Sequence, residues 1–219
     1  MLNMSDVFSY LAGNTIDYHA SEIGKCTAKG GEPERISKSL QFIVDAKNVL
    51  AERSEMAYKD ALTGLGNRGF FDETLEKRTS LARRTEEDIS LVFFDIDNFK
   101  LFNDNYGHDA GDYVLSSLGK IVNKNVRDSD IACRYGGEEV AVILPNTDKK
   151  GGYIAAEKIR SAVEGAEWNY EGKDLGKVTV SLGVSGYNYN DVGSFVKEAD
   201  VAMYSAKADG RNRTVVSED

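Results

Sequence analysis

The chain has 219 residues, of which 41% are hydrophobic and 29% charged, enough for one good core with a modest extension and too apolar for a disordered chain. Its net charge of −9 argues against a protein that coats nucleic acid, but not against a nucleotide site, where a metal ion can bridge acidic side chains to phosphates. No apolar run reaches the length of a membrane span, the N-terminus lacks the basic and apolar regions of a signal peptide, and Cys26 and Cys133 share no metal-ligand spacing; a cytoplasmic protein with a reduced, buried Cys133 is expected.

In residues 1–33, Val7, Phe8, Tyr10 and Leu11 can line one helical face before Gly24, Gly30, Gly31 and Pro33 break the pattern. Asp17, His19 and Glu22 read as a solvated acidic patch. Residues 34–59 predict a helix in which Ile36, Leu40, Ile43, Leu50 and Ala57 fall near alternating spacings of four and three, interrupted by Lys47 and Ser54. This is either a short coiled-coil seam, which would make the chain a dimer, or a helix lying on its own domain. The connector 60–68 is rich in turn residues, and the domain boundary is placed before it. The organisation expected is a helical lead-in over 1–58, with a dimerisation or regulatory role, and a second domain over 59–219. A helix over 68–84 carries Phe70, Phe71, Leu75 and Leu81.

Residues 89–94 are almost continuously apolar, as expected of a central strand covered on both faces. The run ends in Asp95-Ile96-Asp97, where open sheets place ligands. Asp97 is read as the cap of the following helix, while Asp95 after four apolar residues has no obvious structural use. A short helix over 98–106 is followed by a polar turn at 107–112 and a longer helix to about residue 126. His108 in that turn reads as a local hydrogen-bonding residue. Two strand-like runs then meet at Gly136-Gly137, the signature of a tight hairpin whose turn uses positive φ. Glu138 and Glu139 open its second strand, which packing does not require. Asp148 starts a helix to about 164, residues 177–184 alternate as a strand, a helix over 192–208 is stopped by Gly210, and residues 214–216 form a last short strand.

The resulting order implies an α+β fold with a ferredoxin-like or palm-type βαββαβ core, an extra strand and helices, and the helical N-terminal segment ahead of it. In that arrangement the first strand lies antiparallel to the second strand of the hairpin, which brings Asp95 beside Glu138 and Glu139. Three converging carboxylates repel one another unless a divalent cation is shared between them, and oxygen-only donors favour Mg²⁺ or Mn²⁺. The residues alone therefore point to metal-dependent phosphoryl or nucleotidyl transfer without naming a substrate.

Several spaced motifs occur in order: Asp60-Ala61-Leu62-Thr63-Gly64-Leu65 with Asn67-Arg68, Asp95-Ile96-Asp97-Asn98-Phe99-Lys100, Asn103-Asp104, Tyr106-Gly107-His108 with Gly111-Asp112, Arg134-Tyr135-Gly136-Gly137-Glu138-Glu139, and Ala206-Lys207 with Gly210-Arg211-Asn212. Over residues 59–216 the chain resembles the GGDEF family of diguanylate cyclases in its Gly-Gly-Glu-Glu variant. The resemblance implies condensation of two GTP into cyclic di-GMP and pyrophosphate by two domains facing each other in a homodimer. By matched position it implies that Asp95, Glu139 and the Ile96 carbonyl bind Mg²⁺, and that Glu138 lies against the metal and the attacking hydroxyl. Gly136 and Gly137 would leave room for the nucleotide, Asn103 and Asp112 would read guanine, and Lys100, Lys207 and Arg211 would neutralise phosphates. Arg127 and Asp130, an Arg-x-x-Asp motif ahead of the hairpin, match the family's inhibitory site for product. Val140 stands where the family usually has Phe, with little expected effect, and Gly66 replaces a larger residue, which is expected to loosen the entry loop. The alternative reading is a catalytically silent domain that binds cyclic di-GMP or GTP. A palm acting on nucleic acid is disfavoured by the acidic charge.

Overall fold

The computed structural model describes Gln41, Val44, Asp45, 57–189 and 191–218. The three isolated positions are helical, and Gln41 Nε2 donates to Asp45 Oδ1 at 2.9 Å. The expectations for the rest of residues 1–56, including the coiled-coil seam, the acidic patch and Cys26, lie outside the described residues. Residues from Tyr58 onward form one compact unit. Among the described residues no helix is long and apolar enough to cross a membrane.

This unit is built from α1 (Arg68–Thr85), β1 (Ile89–Ile96), α2 (Phe99–Tyr106), α3 (His108–Asn125), β2 (Ile131–Gly136), β3 (Glu139–Pro145), α4 (Lys149–Glu164), the small hairpin β4 (Asn169–Tyr170) and β5 (Lys173–Asp174), β6 (Val180–Gly186), α5 (Val192–Ala208) and β7 (Thr214–Val216). The main sheet runs β2-β3-β1-β6-β7. β1 is antiparallel to both neighbours, and β7 adds at the edge parallel to β6. This is the expected βαββαβ core with one extra strand.

β1 is buried at every position. Period-two alternation explains why. Leu91 and Phe93 join Phe71 and Leu75 of α1 and Phe195, Ala199 and Met203 of α5. Val92, Phe94 and Ile96 join Val114, Leu118 and Val122 of α3 and Ile159 and Val163 of α4 on the other face. Asn67, Asp148 and Asp191 cap α1, α4 and α5 by accepting from the backbone N–H three residues on. Cys133 is a free, buried thiol whose pKa burial pushes up to about 12, so it is inert.

Four local expectations are corrected. The polar stretch 107–112 is not a turn: only Gly107, at φ 88°, separates α2 from α3, and His108 already begins the second helix. Neither Gly136 nor Gly137 has positive φ; the hairpin instead turns through Gly137-Glu138, with a bulge where the register shifts between Arg134 and Gly136. Gly66 does not loosen its loop. It pairs with β2 through Gly66 N–H to the Ala132 carbonyl (3.0 Å) and Arg134 N–H to the Gly66 carbonyl (2.7 Å), and a Cβ there would meet Cys133 Sγ at 2.6 Å. Asp97 does not cap α2, whose N-cap is Asn98 at φ 55° with no side-chain bond.

Candidate functional site

The C-terminal end of β1 meets the start of β3, and the antiparallel register sets Asp95 directly opposite Glu139. Glu138 is in the adjoining turn, not on the strand. Gly136 faces this cluster closely, since a Cβ there would lie 2.9 Å from Glu139 Oε2, whereas Gly137 has open space around it. Ile96 follows Asp95 at the end of β1, opposite Val180.

Asp95 is 7% exposed. Burial raises its pKa, and the charges of Glu138 and Glu139 push in the same direction. Lys207, from the last turn of α5, opposes them with its Nζ 2.8 Å from Asp95 Oδ1. Lys207 is the cation that forms an ion pair with Asp95 among the described residues. Among the described residues no three His, Cys, Asp or Glu side chains are gathered closely enough to form a metal-holding group. The donor set still suits a hard divalent cation: Asp95 and Glu139 are paired in register, Glu138 adjoins them, all offer oxygen, and burial keeps the Asp95 pKa raised even with Lys207 beside it.

The raised pKa of Asp95 has a consequence for stability. The unfolded chain ionises this group at lower pH than the fold does, so stability falls as pH rises from the ordinary carboxylate range through the raised value, and the penalty is complete above it. Asp95→Asn is therefore expected to raise the melting temperature at neutral pH in EDTA. A lower melting temperature would show that Lys207 more than compensates the buried charge.

The turn is fixed from behind by Arg134. Its Nε donates to the Gly137 carbonyl at 2.9 Å, and its Nη1 lies 3.1 Å from Asp60 Oδ2. Asp60 is itself held by the backbone N–H and hydroxyl of Thr63. The spacing of Asp60 and Thr63 signals such a turn in sequence, but nothing there links it to Arg134, 74 positions away.

Asn103 on α2 and Asp112 on α3 stand on either side of the Gly107 break. Asn103 Oδ1 is buried without a hydrogen-bond partner. It lies so close to Gly111, the neighbour of Asp112, that a Cβ there would be 2.0 Å away. Lys100 is exposed on the first turn of α2, and Arg211 is exposed just past α5. Arg127 and Asp130 are not part of this group. They precede β2, whose other end carries Gly136, roughly 17 Å away along the strand. Asp130 Oδ2 accepts from the Arg127 backbone N–H at 2.8 Å, which closes their turn and leaves Arg127 exposed.

Two hollows lie elsewhere. One of about 350 Å³ is at the opposite end of β1, beside Asp88 and Tyr187, and one of about 780 Å³ runs between α5 and β7. Neither is lined by Asp95, Glu138 or Glu139.

Comparison with known proteins bears on what this arrangement does. The family model described as "Diguanylate cyclase, GGDEF domain" matches residues 57–213. Diguanylate cyclase A of Treponema denticola is 37% identical over 202 residues, covering 84% of this chain and 54% of that protein. The chain thus spans about half of that relative's length, and 27% and 43% of two others, DgcP of Pseudomonas aeruginosa and PleD of Caulobacter vibrioides. The crystal structure of the GGDEF domain of DgcB from Caulobacter crescentus, in complex with c-di-GMP, is similar with a TM-score of 0.72 and 35% identity, over 74% of this chain and 94% of that one. The active GGEEF domain of a diguanylate cyclase from Vibrio cholerae is similar with a TM-score of 0.65 and 32% identity, over 70% and 97%.

Proposed function

Because the chain belongs to the GGDEF family of diguanylate cyclases, we propose that it condenses two molecules of GTP into cyclic di-GMP. Each 3′-oxygen forms a bond to the α-phosphorus of the other nucleotide, each α–β phosphoanhydride breaks, and two pyrophosphates leave. One observation carries the reading: Asp95 and Glu139 oppose each other at the end of a buried strand, with Glu138 in the turn between the paired strands.

Asp95, Glu139 and the Ile96 carbonyl would hold Mg²⁺ or Mn²⁺, which when bound supplies a Lewis acid at the α-phosphate and favours ionisation of the attacking hydroxyl. Glu138, in the turn beside Glu139, would lie against that hydroxyl and accept its proton. Lys207, Arg211 and Lys100 neutralise the phosphate charge that accumulates as pyrophosphate departs, with Lys207 exchanging Asp95 for the nucleotide. Gly136 and the open space at Gly137 let the nucleotide approach the turn. Asn103 and Asp112 read guanine, whose N1–H and 2-amino group supply donors that adenine lacks.

Because each domain holds one GTP, catalysis takes a homodimer, and residues 1–58 are assigned to bring two domains together. Arg127 and Asp130 are assigned to product inhibition, Arg127 through a two-pronged donor set that suits guanine or phosphate. The fixed turn and the exposed Arg127 fit that role.

Pyrophosphate release with each nucleoside triphosphate tests the base assignment. GTP is expected to outperform ATP by at least about a hundredfold in kcat/KM, and Asp112→Ala to lose most of that preference, because an acceptor covered by the wrong base is left unpaired. Equal turnover of ATP and GTP by the native protein would contradict the assignment.

A further inference from the structure

Asp97 has no place in the chemistry above, and the structure takes away the helix-capping role expected for it. Its carboxylate is instead a junction. Oδ1 accepts from Ser181 Oγ at 2.6 Å, and Oδ2 accepts from Thr179 Oγ1 at 2.7 Å and from the Asn212 backbone N–H at 3.1 Å. Two of these bonds reach the start of β6, and the third reaches the short loop between α5 and β7.

That loop is strained. Gly210, Arg211 and Asn212 have φ of 110°, 64° and 46°, so three residues in a row are left-handed and two of them are not glycine. Such a conformation persists only where its surroundings over-determine it. Here they do. Arg211 N–H donates to the Ala206 carbonyl at 3.0 Å and closes the end of α5. The Asn212 amide is gripped on both sides: its Oδ1 accepts from Arg160 Nη1 at 2.9 Å, and its Nδ2 donates to Glu164 Oε1 at 2.9 Å. Arg160 and Glu164 are in turn bound to each other. Arg211 contributes only its backbone to this net and leaves its guanidinium exposed.

We propose that Asp97 and Asn212 are positioning residues that fix the loop after α5 so that Arg211, with Lys207 one turn before it, is presented to the phosphates of the nucleotide. The inference rests on the cyclase reading above. It makes one strained loop, pinned to the residue two positions beyond Asp95, the means by which Lys207 and Arg211 are registered against the carboxylate at the end of β1.

A purely structural role for Asp97 would lower stability and act on the reaction independently of Arg211. A positioning role acts through Arg211, so a double-mutant cycle separates the two. In steady-state assays with GTP, Asp97→Asn is expected to raise KM about tenfold with kcat within about threefold, the pattern of lost binding common to ground and transition states. Arg211→Met is expected to raise KM at least as much, and adding Asp97→Asn to it should raise KM by less than about twofold more. Preference for GTP over ATP should not move, because the base is read elsewhere. Asn212→Gly, which tolerates the left-handed backbone but deletes the amide tether, gives a second route to the same cycle if Asp97→Asn fails to fold, as judged by its melting curve. An unchanged KM in the folded variants, or a KM that multiplies in the Arg211→Met background, overturns the proposal while leaving the cyclase intact. A native protein that turns over no GTP overturns both.

Discussion

Glu138→Gln/Glu139→Gln is expected to abolish cyclic di-GMP formation, lowering the rate by at least about a thousandfold, since it removes both a proton acceptor and an anionic ligand. Glutamine keeps the length of each side chain. The turn itself is held by Arg134 on the Gly137 carbonyl, and this bond does not involve either glutamate side chain. Replacing the two glutamates also removes the repulsion they exert on Asp95. The variant should therefore melt at the same temperature as the native protein or higher. This opposite movement of activity and stability identifies the carboxylates as functional. Loss of activity with a lower melting temperature would mean that the hairpin needs them for its structure, and retained activity would remove them from the reaction.

The largest expected effect on stability lies on the same face of the sheet, one strand over, where Gly183 pairs with Phe93. At Gly183 in β6 a Cβ would come within 2.0 Å of the Ala199 carbonyl oxygen and 2.2 Å of the Met203 nitrogen. Both are backbone atoms of α5, which packs on β6 through the buried Phe195, Ala199 and Met203. A side chain can rotate away from an intruding methyl group, but a helix backbone has to lift as a body and give up its contacts. Gly183→Ala is expected to cost about 3 kcal/mol or more, at or beyond the upper end of ordinary overpacking. In a domain of this length that lowers the melting temperature by roughly 6–12 °C. Gly137→Ala is the control: open space surrounds that position and its φ is not positive, so its melting temperature should stay close to native. A Gly183→Ala variant as stable as Gly137→Ala would show that α5 is less tightly seated than its contacts indicate. Because α5 also carries Lys207, partial lifting would separate it from Asp95 as well.

What the sequence made legible follows from the range of each physical signal. The buried run 89–94 announces a strand covered on both faces because both faces need apolar side chains, and the structure has that strand. The pairing of Asp95 with Glu139 was legible because the βαββαβ order leaves little choice of neighbour for β1. Asp97 was misread because a carboxylate before a helix usually serves that helix, and its actual partners, Thr179, Ser181 and Asn212, lie more than 80 positions away. The hairpin was placed correctly but its geometry was not. Gly-Gly suggests a positive-φ turn, whereas a bulge in β2 supplies the bend and moves Glu138 into the turn. The β4-β5 hairpin was missed because strands of two residues are too short to show an alternation. The span 177–179 alternates like a strand, yet β6 begins only at Val180.

Chromatography of the products formed from GTP and Mg²⁺ is the most direct measurement, made on protein first stripped of nucleotide so that retained product at Arg127 does not mask turnover. Cyclic di-GMP should appear with two pyrophosphates for each molecule formed. A folded, dimeric, nucleotide-free sample that leaves GTP unchanged, or only hydrolyses it, would contradict the assignment of Asp95, Glu138 and Glu139 to a diguanylate cyclase reaction.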